Sequence, residues 1–142
     1  MTIELPSFSA CDALVSVMVA VSVSDANIRT SELVAIERMV NHTPVFAAYD
    51  VDRIRAVSQT VMSLFEDEDG IDALFGLVRD ALPERLFETA YALACDVAAA
   101  DGRLSDDEAE MLREIRHQLN VSRLHAAAIE LSSQLRHRTL QA

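Results

Sequence analysis

Apolar and polar positions divide the chain into seven helical stretches. The first, from about Ser9 to Val23, is apolar almost all round, so it should be buried on most sides. The second starts near Thr30 or Ser31 and runs to Asn41. It carries Leu33, Ile36 and Val40 on one face, with Glu37 and Arg38 off it, and stops before Pro44, which cannot continue a helix. Asp50 or Asp52 can cap a third, in which Ile54, Val57, Val61, Leu64 and Phe65 recur at helical spacing up to the acidic break at residues 66–70. A fourth carries Ile71, Leu74, Phe75 and Val78. Pro83, at a first-turn position, opens a fifth, nearly uncharged helix that extends to Ala100. Ser105 with Glu108 forms a capping-box signature ahead of a sixth, whose stripe is Met111, Leu112, Ile115 and Leu119. Ser122 caps a seventh, and its Leu124, Ala128, Leu131 and Leu135 are expected to complete the core. Only three Gly and three Pro interrupt an Ala/Leu/Glu/Arg-rich chain, so the predicted class is all-α, with short connections making consecutive helices antiparallel.

The pattern also repeats. A shift of 76 positions pairs Asp12 with Glu88, Asp25 with Asp101, Ile28 with Leu104, Glu32 with Glu108, Ile36 with Leu112 and Met39 with Ile115. Acid falls on acid and apolar on apolar. This predicts one domain over residues 1–142, with an internal repeat at approximately 8–66 and 84–138 and with the first and fifth helices as a shared, buried centre.

A chain of 142 residues with 51% hydrophobic content fits one such core. Twelve basic against twenty-three acidic residues give a net charge of −11, which argues against unaided binding to nucleic acid or to anionic lipid. The longest uncharged run, Ala13 to Ser24, falls short of the roughly 20 apolar residues a bilayer-spanning helix needs and has no basic N-terminal flank. The expectation is therefore a soluble, cytoplasmic protein without direct membrane insertion. Cys11 and Cys95 lack any ligand or redox spacing and sit in apolar helical contexts, which suits reduced, buried thiols. The Arg136-His137-Arg138 run suits the negative end of a helix dipole.

The chemistry that remains is acidic. Asp25, Glu32, Asp101 and Glu108 recur at matched places, and Asp12, Glu88 and Asp96 on the central helices could support them. Oxygen donors of this kind favour Ca²⁺, Mg²⁺ or Mn²⁺. Asp25 and Asp101 each follow a helix C-terminus, where negative charge opposes the dipole, so either an Asx-type turn or a bound cation should compensate them. Glu108 has a purely structural account in the capping box, but Glu32 has Arg29 where a capping Ser would stand. The loop around Asp101 overlaps the later positions of an EF-hand. Its first ligand positions would be Val97 and Ala99, which cannot coordinate Ca²⁺. The acidic turn around Asp67, Asp69 and Asp72 lacks the closing Glu. The four His have no zinc-like spacing, no nucleophile or phosphate-loop signature is present, and Tyr49 and Tyr91 read as core residues with satisfied hydroxyls.

The stretch from Leu82-Pro83-Glu84-Arg85-Leu86 through Ala98-Ala99-Ala100-Asp101-Gly102-Arg103-Leu104-Ser105-Asp106-Asp107-Glu108 to Leu112 and Ile115 resembles the TerB-like tellurite-resistance family. The first copy differs, with Ala26 at the place of Gly102 and Arg29 at that of Ser105. The resemblance implies a duplicated all-helical fold with two central helices and no established catalytic activity. It also implies a cytoplasmic role in tellurite, metal and chemical stress alongside other stress proteins, some membrane-bound, and divalent-cation binding where the acidic patch is conspicuous. Related domains precede some J-domains, but no His-Pro-Asp occurs here. Two functions follow as expectations: a non-enzymatic, metal-binding stress protein, or a metal-free protein–protein interaction module.

Overall fold

The computed structural model describes residues 8–23, 30–100, 102 and 104–141. Among them all regular structure is helical: α1 (Ala10–Ser22), α2 (Thr30–His42), α3 (Arg53–Leu64), α4 (Gly70–Ala81), α5 (Phe87–Ala98), α6 (Asp106–Gln118) and α7 (Arg123–Arg136). Short 3₁₀ turns at Pro44–Phe46 and Glu84–Leu86 lead into α3 and α5. Pro83 therefore opens a 3₁₀ turn, and α5 itself begins at Phe87, later than the sequence pattern suggests.

Valine-rich α1 is not an intrinsically strong helix, because β-branched side chains lose rotamer freedom in one. Two features secure it. Ser9 and Asp12 form a reciprocal capping box at its start, and every residue from Asp12 to Ser22 is buried. The Ser16 and Ser22 hydroxyls, taken into this apolar surrounding, donate to the carbonyls of Ala13 (2.7 Å) and Met18 (3.2 Å). α1 packs against α2, α3, α4, α5 and α6, while α5 packs on α1, α2, α6 and α7. These two helices are the centre, as their lack of charge predicts. The 76-residue offset carries residues 30–42 of α2 onto 106–118 of α6 and residues 10–22 of α1 onto 86–98, which includes all of α5. α4 has no such counterpart.

Two glycines are required by geometry. A Cβ on Gly70 would lie 2.0 Å from the Leu64 carbonyl oxygen, so only Gly lets the 64–70 turn close onto α4. Gly102 has φ +75°, the left-handed region in which a side chain is strained. After α6, Asn120 takes the same role at φ 52°. Its N–H bonds to His117 O (3.1 Å) and that of Val121 to Arg116 O (3.0 Å), a Schellman ending that lets α7 start three residues later.

The seventh helix corrects the sequence expectation. Its leucine stripe is outside: Leu124 is 76% exposed, Leu131 52% and Leu135 50%, and Ala128 is exposed as well. The buried positions are Ala126 and Ser133, on the opposite side. Small residues there allow close approach to α5, and three polar pairs fix the rotation. Tyr91 donates to Glu130 (2.5 Å), Ser133 donates to Asp96 (2.8 Å), and Glu88 meets His125. Turning the leucines inward would strip half-buried Asp96 and buried Tyr91 of these partners, at a cost of about 1–3 kcal/mol for the Tyr91 hydroxyl left unsatisfied. On α2 a smaller correction applies, since Leu33 is 37% exposed while Glu32 is buried beside Ile36 and Val40.

Candidate functional site

Glu32 and Glu108 occupy the first turns of α2 and α6, 76 residues apart, and both are completely buried. Around Glu108 the local reason is clear. Ser105 takes extended backbone angles (φ −75°, ψ 162°) and its Oγ accepts from Glu108 N (3.1 Å), while Glu108 Oε1 accepts from Ser105 N (2.9 Å). The box uses one carboxylate oxygen. The other, Oε2, is buried and has no hydrogen-bond partner among the described residues. Asp25 and Asp101, the other two sequence candidates, lie outside the described residues. Among the described residues, no three His, Cys, Asp or Glu side chains gather into a group able to hold a metal ion.

The three supporting acids are each engaged elsewhere. Asp12 is fully buried and accepts from Ser9 N (2.9 Å), Tyr49 OH (2.5 Å), Arg53 Nε (3.0 Å) and Arg53 Nη2 (2.6 Å). Burial alone would raise its pKa, but the Arg53 guanidinium, the Ser9 N–H and the Tyr49 hydroxyl outweigh that and hold the carboxyl below the usual range. The Tyr49 hydroxyl is pushed up by burial and by the carboxylate it donates to. Glu88 pairs with His125 at the surface, and Asp96 takes Ser133 and Arg136 (2.7 Å). The Asp12–Tyr49 and Glu88–His125 pairs are themselves 76 residues apart.

Sequence reasoning missed this Asp12 cluster. The spacing Ser9-x-x-Asp12 was the available signal for its capping part, whereas Tyr49 and Arg53 arrive from more than thirty residues away. The thiols offer no nucleophile: burial pushes Cys95 up to about 12 and also raises Cys11, which stays half-buried with its Sγ on the Val45 carbonyl (3.4 Å).

The family described as Tellurite resistance protein TerB matches residues 11–131. This chain belongs to the TerB family. The TerB match takes in both central helices, Glu32, Glu108 and the residues between α5 and α6, and it ends at Leu131 within α7. No curated protein and no solved structure matches the chain. Among the described residues, no helix of this TerB domain is long and apolar enough to cross a membrane.

Proposed function

We propose that this chain is a non-enzymatic, cytoplasmic TerB-type stress protein of tellurite resistance that holds a divalent cation through Asp25, Glu32, Asp101 and Glu108. The observation that supports this reading is the buried, unpartnered Oε2 of Glu108. An ionised oxygen withdrawn from water without a donor costs several kcal/mol, and a Ca²⁺, Mg²⁺ or Mn²⁺ ion would supply the missing partner. The role of the cation would be structural, tying the starts of α2 and α6 to the central helices. Titration with each ion, followed by thermal melts and amide NMR, should show a rise in Tm, because a ligand bound only by the folded state stabilises it. Glu108→Gln keeps an oxygen for the Ser105 N–H and should remove the metal-dependent rise. Absence of any millimolar binding would end the metal reading.

A metal-free interaction module is the second reading, and the outward leucine stripe of α7 favours it. Its partners would be other proteins of a stress-response complex, some of them membrane-bound. If divalent ions leave the melt unchanged while Leu131→Gln abolishes partner capture, this reading stands in place of the first.

A further inference from the structure

α6 and α7 both lie on α5 but pack far less on each other, and the space between them is a cavity of about 540 Å³. Its floor is apolar, from Tyr91, Cys95, Ala98 and Leu112. Arg113, Arg116 and Arg138 also line it, three of the twelve basic residues of a chain whose net charge is −11. Among the described residues the one acid in the lining is Glu130, which already accepts from Tyr91. Arg113 is held by Glu110 in a surface ion pair. Among the described residues, half-buried Arg116 and exposed Arg138 form no ion pair, which leaves two guanidinium groups available at an apolar cleft in an otherwise acidic protein.

We propose that this cleft binds a small organic anion with an apolar body, an alkyl carboxylate, whose head is taken by Arg116 and Arg138 while its chain lies on Tyr91, Cys95, Ala98 and Leu112. The guanidinium fork matches a carboxylate in two parallel hydrogen bonds, and partial withdrawal from water strengthens them. The cavity falls within the size range of ordinary small-ligand pockets. Neither proposal depends on the other.

The test uses the full chain with decanoate, 1-decanol and decyltrimethylammonium, each below its aggregation concentration, read by calorimetry, thermal melts and amide NMR. Decanoate should bind saturably at one site, raise Tm and shift the amides of Ala98, Leu112, Arg116 and Ser133. 1-Decanol should bind at least about tenfold more weakly, the loss expected for a charge-assisted hydrogen bond, and decyltrimethylammonium should leave those amides unmoved. The double variant Arg116→Gln with Arg138→Gln, which keeps a polar side chain at each of these half-buried and exposed positions, should remove the preference for decanoate and leave the binding of 1-decanol unchanged. Equal affinity for decanoate and 1-decanol would overturn the proposal, as would absence of saturable binding or shifts confined to the outer stripe of α7. An Ala109→Phe variant that narrows the cleft yet binds decanoate as tightly as the wild type would overturn it as well.

Discussion

The Asp12 cluster on α1 and the Glu88–His125 pair on α5 stand 76 residues apart, and their surroundings are opposite. Asp12 is wholly buried, with the Arg53 side chain 36% exposed above it. The Glu88 and His125 side chains are 48% and 58% exposed. The same placement of an acid at the start of a central helix thus yields an internal lock in one half and a surface contact in the other. Depth decides the energetic weight, because a charge removed from water depends on its partners whereas an exposed one retains its hydration.

The largest expected effect is therefore at Arg53. Arg53→Met leaves the buried Asp12 carboxylate with Tyr49 and Ser9 alone and should cost about 3 kcal/mol, the low end for a broken buried pair because Arg53 keeps an edge in water. Glu88→Gln should change stability by less than about 0.5 kcal/mol. Urea melts of both variants check the contrast, and equal losses would remove it.

Acid should sharpen the same difference. Because the folded-state pKa of Asp12 lies below its unfolded value, its contribution is fully present above the unfolded pKa of about 3.9 and is lost as pH falls through the folded value. The stability gap between wild type and Arg53→Met should accordingly be constant near neutrality and shrink below about pH 4. A gap unchanged down to pH 2 would show that Arg53 acts through packing alone.

Tyr49→Phe and Tyr91→Phe each remove a hydroxyl bonded to a carboxylate at 2.5 Å, and each should cost about 1–2 kcal/mol. The loss at Tyr49 should be the larger, since Asp12 is the more buried acceptor. Thermal melts of the pair give the order directly.

The two capping boxes allow a finer comparison. Ser9→Ala and Ser105→Ala should each destabilise by about 1 kcal/mol, and the Ser105 change should leave any metal affinity nearly untouched. Smallest of all is Leu131→Gln, on the outer face of α7, expected within about 0.5 kcal/mol in a melt of the isolated chain. A loss of several kcal/mol there would mean that the stripe is covered in solution.

Much of the fold was legible in one dimension. Nearly uncharged α1 and α5, the box at Ser105, the cap at Ser122 and the breaks at Pro44 and residues 66–70 all depend on neighbours within a few positions, and local chemistry of that range is written in the order of residues. The candidate acids were legible only as a matched set. That Glu32 and Glu108 are fully buried, with one Glu108 oxygen unpartnered, is a property of packing.

By itself the sequence determined which residues share a helical face, where most helices start and stop, and which two helices form the centre. Tertiary structure alone decided which face of α7 turns inward. Periodicity is symmetric in that respect: it groups Leu124, Ala128, Leu131 and Leu135 together without saying that they outweigh the opposing face. The choice fell to Ala126, Ser133 and Glu130, because buried Tyr91 and half-buried Asp96 on α5 required hydrogen bonds that the leucines could not give. The meeting of Asp12 with Tyr49 and Arg53 is of the same kind, since a partner more than thirty residues away is chosen by the packing of α1 on α3 and by no local rule.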